Sequence, residues 1–144
     1  MAYKTPYSVL SDAKAFLCWD IFPDLSIQLV KVAKTTSYFY PPVNRCTIIV
    51  YYEKACADFS TPLCHLFHEA GHYVQYQEQE NDNCEILFYE MMNTPTGLQR
   101  KTFEEEAWRK GKELLTKFIQ KKELPESILK VFNDMATSRI QSYA

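Results

Sequence analysis

The sequence predicts an α+β domain. Three observations carry that reading: a β-branched and aromatic run at Thr47–Tyr52, two long stretches of helical periodicity downstream of it, and a globular composition with 47% hydrophobic and 24% charged residues. At 144 residues the chain has the length of one domain, 1–144, with its chemistry-bearing motifs concentrated at about 47–115. Residues Ser8–Trp19 start the chain with a short helix whose Val9, Ala13, Phe16 and Leu17 share a face. Pro23 and Asp24 break it. Ile27, Leu29 and Lys31-Val32 read as a strand, and Tyr40-Pro41-Pro42 as a turn or extended connector. Thr47–Tyr52 reads as a buried strand.

The next element is the clearest. Thr61 suits a helix cap and Pro62 the first helical position, after which Leu63, Leu66, Phe67, Ala70 and Val74 recur at helical spacing until the polar run near Gln79. Glu85–Met92 is apolar and fits helix or strand equally. Pro95-Thr96-Gly97 is a break. A second long helix is expected over Thr102–Lys122, with Thr102 and Glu105 as a capping-box pair. Pro125 opens a last helix carrying Ile128, Leu129, Phe132, Met135 and Ile140. A small sheet, antiparallel or mixed, should pack against these helices.

Composition removes several classes of function. The net charge of -2 argues against a protein that coats nucleic acid. Three glycines, Gly71, Gly97 and Gly111, lie too far apart for a phosphate-cradling loop. No apolar run approaches the ~20 residues of a membrane span, and no secretory signal is visible. Five cysteines without a C-x-x-C pair argue against a disulfide framework or thiolate knuckle, so a cytoplasmic, reducing setting is expected.

The chemistry lies in His68-Glu69-Ala70-Gly71-His72, an H-E-x-x-H sequence. Histidines at i and i+4 stand one above the other on a helix, so both imidazoles reach one metal ion. Glu69 lies about 100° round the helix from His68. From there it reaches a water on the metal rather than the metal itself, which suits a general base. With Ala70 at 0°, the apolar stripe falls within about 60° and the two histidines at about 160° and 200°, facing a second layer. His65, one turn earlier, reads as a plain helix-surface residue.

Such a site needs a third ligand, and no further histidine follows. On the second long helix Phe103, Ala107, Gly111, Leu114, Leu115 and Phe118 define the inward face. Glu104 lies about 60° from its centre, Glu106 at about -100° and Glu105 at about 160°. Only Glu104 points inward, and a buried carboxylate calls for a cation. Glu106 stays open as an alternative ligand because helix rotation is unfixed, and Cys84 as a soft one.

Strand, H-E-x-x-H helix and the helix segment Glu104-Glu105-Glu106-Ala107-Trp108 together resemble the minimal gluzincins, zinc metallopeptidases of the ImmA/IrrE type. The resemblance implies a zincin-like fold, zinc held by His68, His72 and Glu104 (the first residue of an E-x-x-A motif), and Glu69 as general base in peptide-bond hydrolysis. Trp108 departs from the family's polar residue there, so support for a ligand histidine must come from elsewhere. A donor to the developing oxyanion is expected among Tyr73, Tyr76, Tyr89 and His65. The rival expectation is a catalytically silent module that binds a partner.

No Lys or Arg lies between His72 and Arg100, where Glu78, Glu80, Asp82, Glu85 and Glu90 cluster. That run reads as solvated surface, or else as a cleft rim favouring basic peptides. The expected partner is a protein or peptide, with neither nucleic acid nor membrane.

Overall fold

A computed structural model describes residues 3–32, 36–41 and 46–143. The elements run α1 (Tyr7–Ala15), β1 (Ser26–Val32), β2 (Thr36–Tyr40), β3 (Thr47–Glu53), α2 (Ser60–Asn81), α3 (Glu85–Met92), α4 (Leu98–Lys122) and α5 (Ser127–Gln141). The architecture is mixed α+β, with five α-helices and a three-stranded mixed sheet among the described residues. None of the described helices is long and apolar enough to cross a membrane.

The first helix continues beyond Ala15 as a π-helical stretch, Phe16–Ile21, which closes with Phe22 N–H donating to the Leu17 carbonyl. In the sheet β3 is central, parallel to β1 and antiparallel to β2. Pairing aligns Ile27, Ile48 and Phe39 across the three strands, and all three are buried on the face that α2 covers. Strand alternation puts Ser37, two residues before Phe39, on that same face, opposite Val50. The sequence reading missed β2: Tyr40-Pro41-Pro42 reads as a connector, and the aromatic strand before it is masked by the prolines. Tyr40 is in fact the last residue of β2; Pro42 lies outside the described residues.

Helix boundaries also move. Thr61 is not the cap of α2, which begins at Ser60. Asp58 does that work: its Oδ1 accepts from the Ser60 N–H at 3.1 Å, the Ser60 hydroxyl at 2.7 Å and the Thr5 N–H at 3.0 Å. Glu85–Met92 resolves as helix. Because α4 starts at Leu98, Thr102 and Glu105 lie inside it and form no capping box; both are exposed.

Helix α2 is enclosed. Every residue from Pro62 to Tyr73 is buried, the sheet lying on one side and α4 on the other. Helices α2 and α4 cross through two glycines. A Cβ on Gly71 would stand 2.0 Å from the Ala107 carbonyl oxygen, and one on Gly111 would stand 2.4 Å from that of Phe67. Both glycines are needed for that backbone contact, and it sits beside the histidines, Gly71 directly preceding His72.

Candidate metal centre

The crossing brings three side chains together. His68 Nε2 lies 3.3 Å from Glu104 Oε1, and His72 Nε2 lies 3.0 Å from Glu104 Oε2. One ligand atom from each of the three residues falls within 4.8 Å of the others. Ligand atoms on a tetrahedral zinc with bonds near 2.0–2.1 Å stand about 3.3 Å apart, so the spacing suits such an ion. Glu104 is 1% exposed and His72 2%. Burial alone would raise the Glu104 carboxyl, but hydrogen bonds and charge from the two histidines outweigh it and hold the group well below the usual carboxylate range. Burial would lower His72, yet the facing Glu104 raises it.

The hydrogen-bond network fixes the tautomer of His72. Gln75 donates its amide N–H to the Phe103 carbonyl at 2.8 Å, so its Oε1 faces His72 Nδ1, also at 2.8 Å. Nδ1 must therefore carry the proton. The Nε2 lone pair then points at a carboxylate, an arrangement of two acceptors that a proton or a metal cation completes. Gln75 is a positioning residue that the sequence reading missed. Its one sequence signal is its place three residues beyond His72 on the same helix.

Trp108 supports the other ligand by stacking. Its indole lies 4.0 Å from the His68 ring, only 20° from parallel, and is 3% exposed. The indole thus fixes the plane of the His68 ring. Arg100 Nε reaches Glu104 Oε2 at 3.3 Å while its Nη1 donates to the carbonyls of Met91, Met92 and Thr94, tying the end of α3 to the site.

Glu69 faces the other way, toward the sheet. The Ser37 hydroxyl lies 3.2 Å from Glu69 Oε2 and 3.1 Å from His65 Nδ1. His65 is not a surface residue: it is 6% exposed, and burial, then the charges of Arg139 and His68, push its imidazole down to about 4. A cleft of about 240 Å³ opens over these groups, between β2, α2, the start of α4 and the end of α5. Glu69, His65, His68, His72 and Glu104 all line it, with Arg139 and Tyr143 from the C-terminal end.

Other expected residues lie elsewhere. Glu106 pairs with Lys110 at 3.8 Å and does not line the cleft, and Cys84 bonds its thiol to the Asp82 carbonyl at the start of α3. Tyr73 and Tyr76 are core residues, and Tyr89 lies outside the cleft. Two tyrosines line the cleft, Tyr38 and Tyr143, and the Tyr143 hydroxyl donates to Glu104 Oε1 at 3.3 Å. Nothing in the sequence pattern singles it out, because it reaches the site only when α5 folds back. The acidic residues Glu78, Glu80, Asp82, Glu85 and Glu90 are absent from the cleft lining, so they do not form its rim. Comparison with protein-family models, curated proteins and solved structures finds no match for this chain.

Proposed function

We propose that this protein is a zinc-dependent metallopeptidase with a minimal zincin-like, gluzincin-type site, acting on a protein or peptide substrate in a reducing, cytoplasmic compartment. One observation carries the reading: His68, His72 and Glu104 converge at metal-ligand spacing while Glu69, on the same helix, lines the same open cleft. A purely structural metal site would need neither the opening nor the second carboxylate.

His68, His72 and Glu104 would hold the ion, which when bound would polarise the scissile carbonyl and make water more acidic. Glu69 takes the proton of the attacking water as its oxygen bonds to the carbonyl carbon, then delivers that proton to the departing nitrogen as the C–N bond breaks. Ser37 holds the Glu69 carboxylate in position. Tyr143 presents a hydroxyl beside the ligand set, placed to donate to the developing oxyanion. The edge strand β2 lines the cleft and pairs, among the described residues, with β3 alone, which leaves its outer side for an extended peptide.

The test combines metal content by mass spectrometry with cleavage of unstructured protein substrates. The parent should hold about one zinc per chain, lost in His72→Ala and Glu104→Ala. Glu69→Gln should keep zinc and lose cleavage. A parent that takes up no metal after zinc is added back refutes the reading. Zinc without cleavage of any substrate, unaltered by Glu69→Gln, favours the silent partner-binding module instead.

A further inference from the structure

The cleft is richer in positive charge than its acidic surroundings in sequence suggest. Its charged lining residues are Glu69, Glu104, Arg100 and Arg139, which balance. A divalent ion on His68, His72 and Glu104 shifts that balance to about +2, so the loaded cleft favours an anionic group. Of the two arginines, Arg100 is occupied by Glu104 and three backbone carbonyls. Arg139 is different. It stands exposed in the last turn of α5, lines the cleft, and has no acidic partner among the described residues. A guanidinium offers a planar fork of donors that suits a carboxylate better than any other common group on a peptide.

We propose that Arg139 is the specificity-determining side chain of this cleft and binds a substrate carboxylate close to the scissile bond. The carboxylate belongs either to an acidic side chain or to a free C-terminus; the first makes the enzyme an endopeptidase cutting beside Asp or Glu, the second a carboxypeptidase. This rests on the metallopeptidase reading and reverses the preference for basic peptides that the acidic run suggests.

The experiment uses the full zinc-loaded chain carrying Glu69→Gln, so that bound peptides are not consumed. The immobilised protein is offered a mixture of short synthetic peptides bearing Glu, Gln or Lys at each position, each made as the free acid and as the amide. Retained peptides are identified by mass spectrometry. Peptides with a carboxylate should be retained about tenfold over their neutral counterparts, with the advantage reduced at high salt. Arg139→Ala should abolish the advantage and Arg139→Glu should turn it toward Lys. Retention of amidated Glu peptides assigns the side chain; retention only of free acids assigns the C-terminus. Retention independent of carboxylates, a preference unchanged by Arg139→Ala, or no retention at all overturns the proposal. Zinc content and cleavage by the parent chain are measured alongside: zinc and cleavage with no carboxylate preference sink the role of Arg139 alone, whereas absence of zinc sinks the metallopeptidase.

Discussion

Gly71→Ala decides whether the helix crossing builds the metal site. By helix propensity alone, replacing a glycine in the interior of α2 with alanine should stabilise the protein by about 1 kcal/mol. The structure predicts the opposite sign. The new Cβ would stand 2.0 Å from the Ala107 carbonyl oxygen, 2.9 Å from its carbon and 3.0 Å from the Gly111 nitrogen. Every one of these is backbone, so no rotamer change relieves the clash. To reach ordinary contact at 3.4 Å, α4 must retreat from α2 by about 1.4 Å. Overpacking of this kind costs up to about 3 kcal/mol, which leaves a net loss of about 2 kcal/mol after the propensity gain. For a chain of this length that is a fall of roughly 6 °C in Tm. The same retreat carries Glu104 away from His68 and His72, beyond the tolerance of about 0.2 Å on metal–ligand distances, so zinc affinity should drop by at least about 100-fold. Thermal unfolding by circular dichroism and competitive zinc titration read the two effects separately. A Tm equal to or above that of the parent, with zinc affinity unchanged, would show that the crossing does not set the ligand geometry.

The remaining predictions concern the supports of the site and of the fold. Gln75→Leu removes the acceptor for His72 Nδ1–H and should weaken zinc binding by about 10–100-fold with little change in helix content, as a competitive chelator titration will show. Metal removal should lower Tm without unfolding the chain, because the apolar core contains none of the three ligands; each tenfold excess of free zinc over Kd restores about 1.4 kcal/mol, and a Tm insensitive to zinc contradicts this. Asp58→Ala should cost about 1 kcal/mol near pH 7, read from urea midpoints. Burial would raise the Asp58 carboxyl, but the Ser60 and Thr5 hydrogen bonds outweigh it and lower it from 3.8, so its contribution is present above that value and lost as pH falls through the lower folded value. The difference between parent and variant should therefore shrink in acid.

What the sequence made legible followed period and spacing. The H-E-x-x-H pair and the inward position of Glu104 come from helical geometry, which holds over a 22-residue and a 25-residue helix. Glu106 fell away for the same reason: a rotation of 160° from Glu104 places it on a different face, where it finds Lys110. The groups that were not legible depend on contacts between distant segments. Ser37 reaches Glu69 because β2 pairs with β3 in a register set by Phe39 and Ile48, and prolines hid that strand. Tyr143 lies 39 residues from Glu104 and meets it only through the return of α5. A single amphipathic stripe on α2 leaves His65 on the exposed face, whereas the helix is covered on both sides. Gln75 was within reach of sequence reasoning, being one turn from His72, but its orientation depends on the Phe103 carbonyl of another helix.

Two features of this chain make little sense for stability alone and explain each other. Two of its three glycines occupy one helix crossing, each costing about 1 kcal/mol of helix propensity relative to alanine. What that close approach achieves is to press a carboxylate 1% exposed against two imidazoles, in a place where well-packed apolar residues would serve folding at least as well. Glutamate spans a short reach from its backbone, so it meets both histidines only if the helices touch. A proton on His72 Nε2 serves one of the two imidazole–carboxylate contacts and leaves the other, His68 Nε2 to Glu104 Oε1 at 3.3 Å, to a second proton. A divalent cation between the three ligand atoms would take up the carboxylate charge and both Nε2 lone pairs at once. The backbone contact, the buried carboxylate and the tautomer set by Gln75 are then one device, with Glu69 of the same helix lining the same cleft.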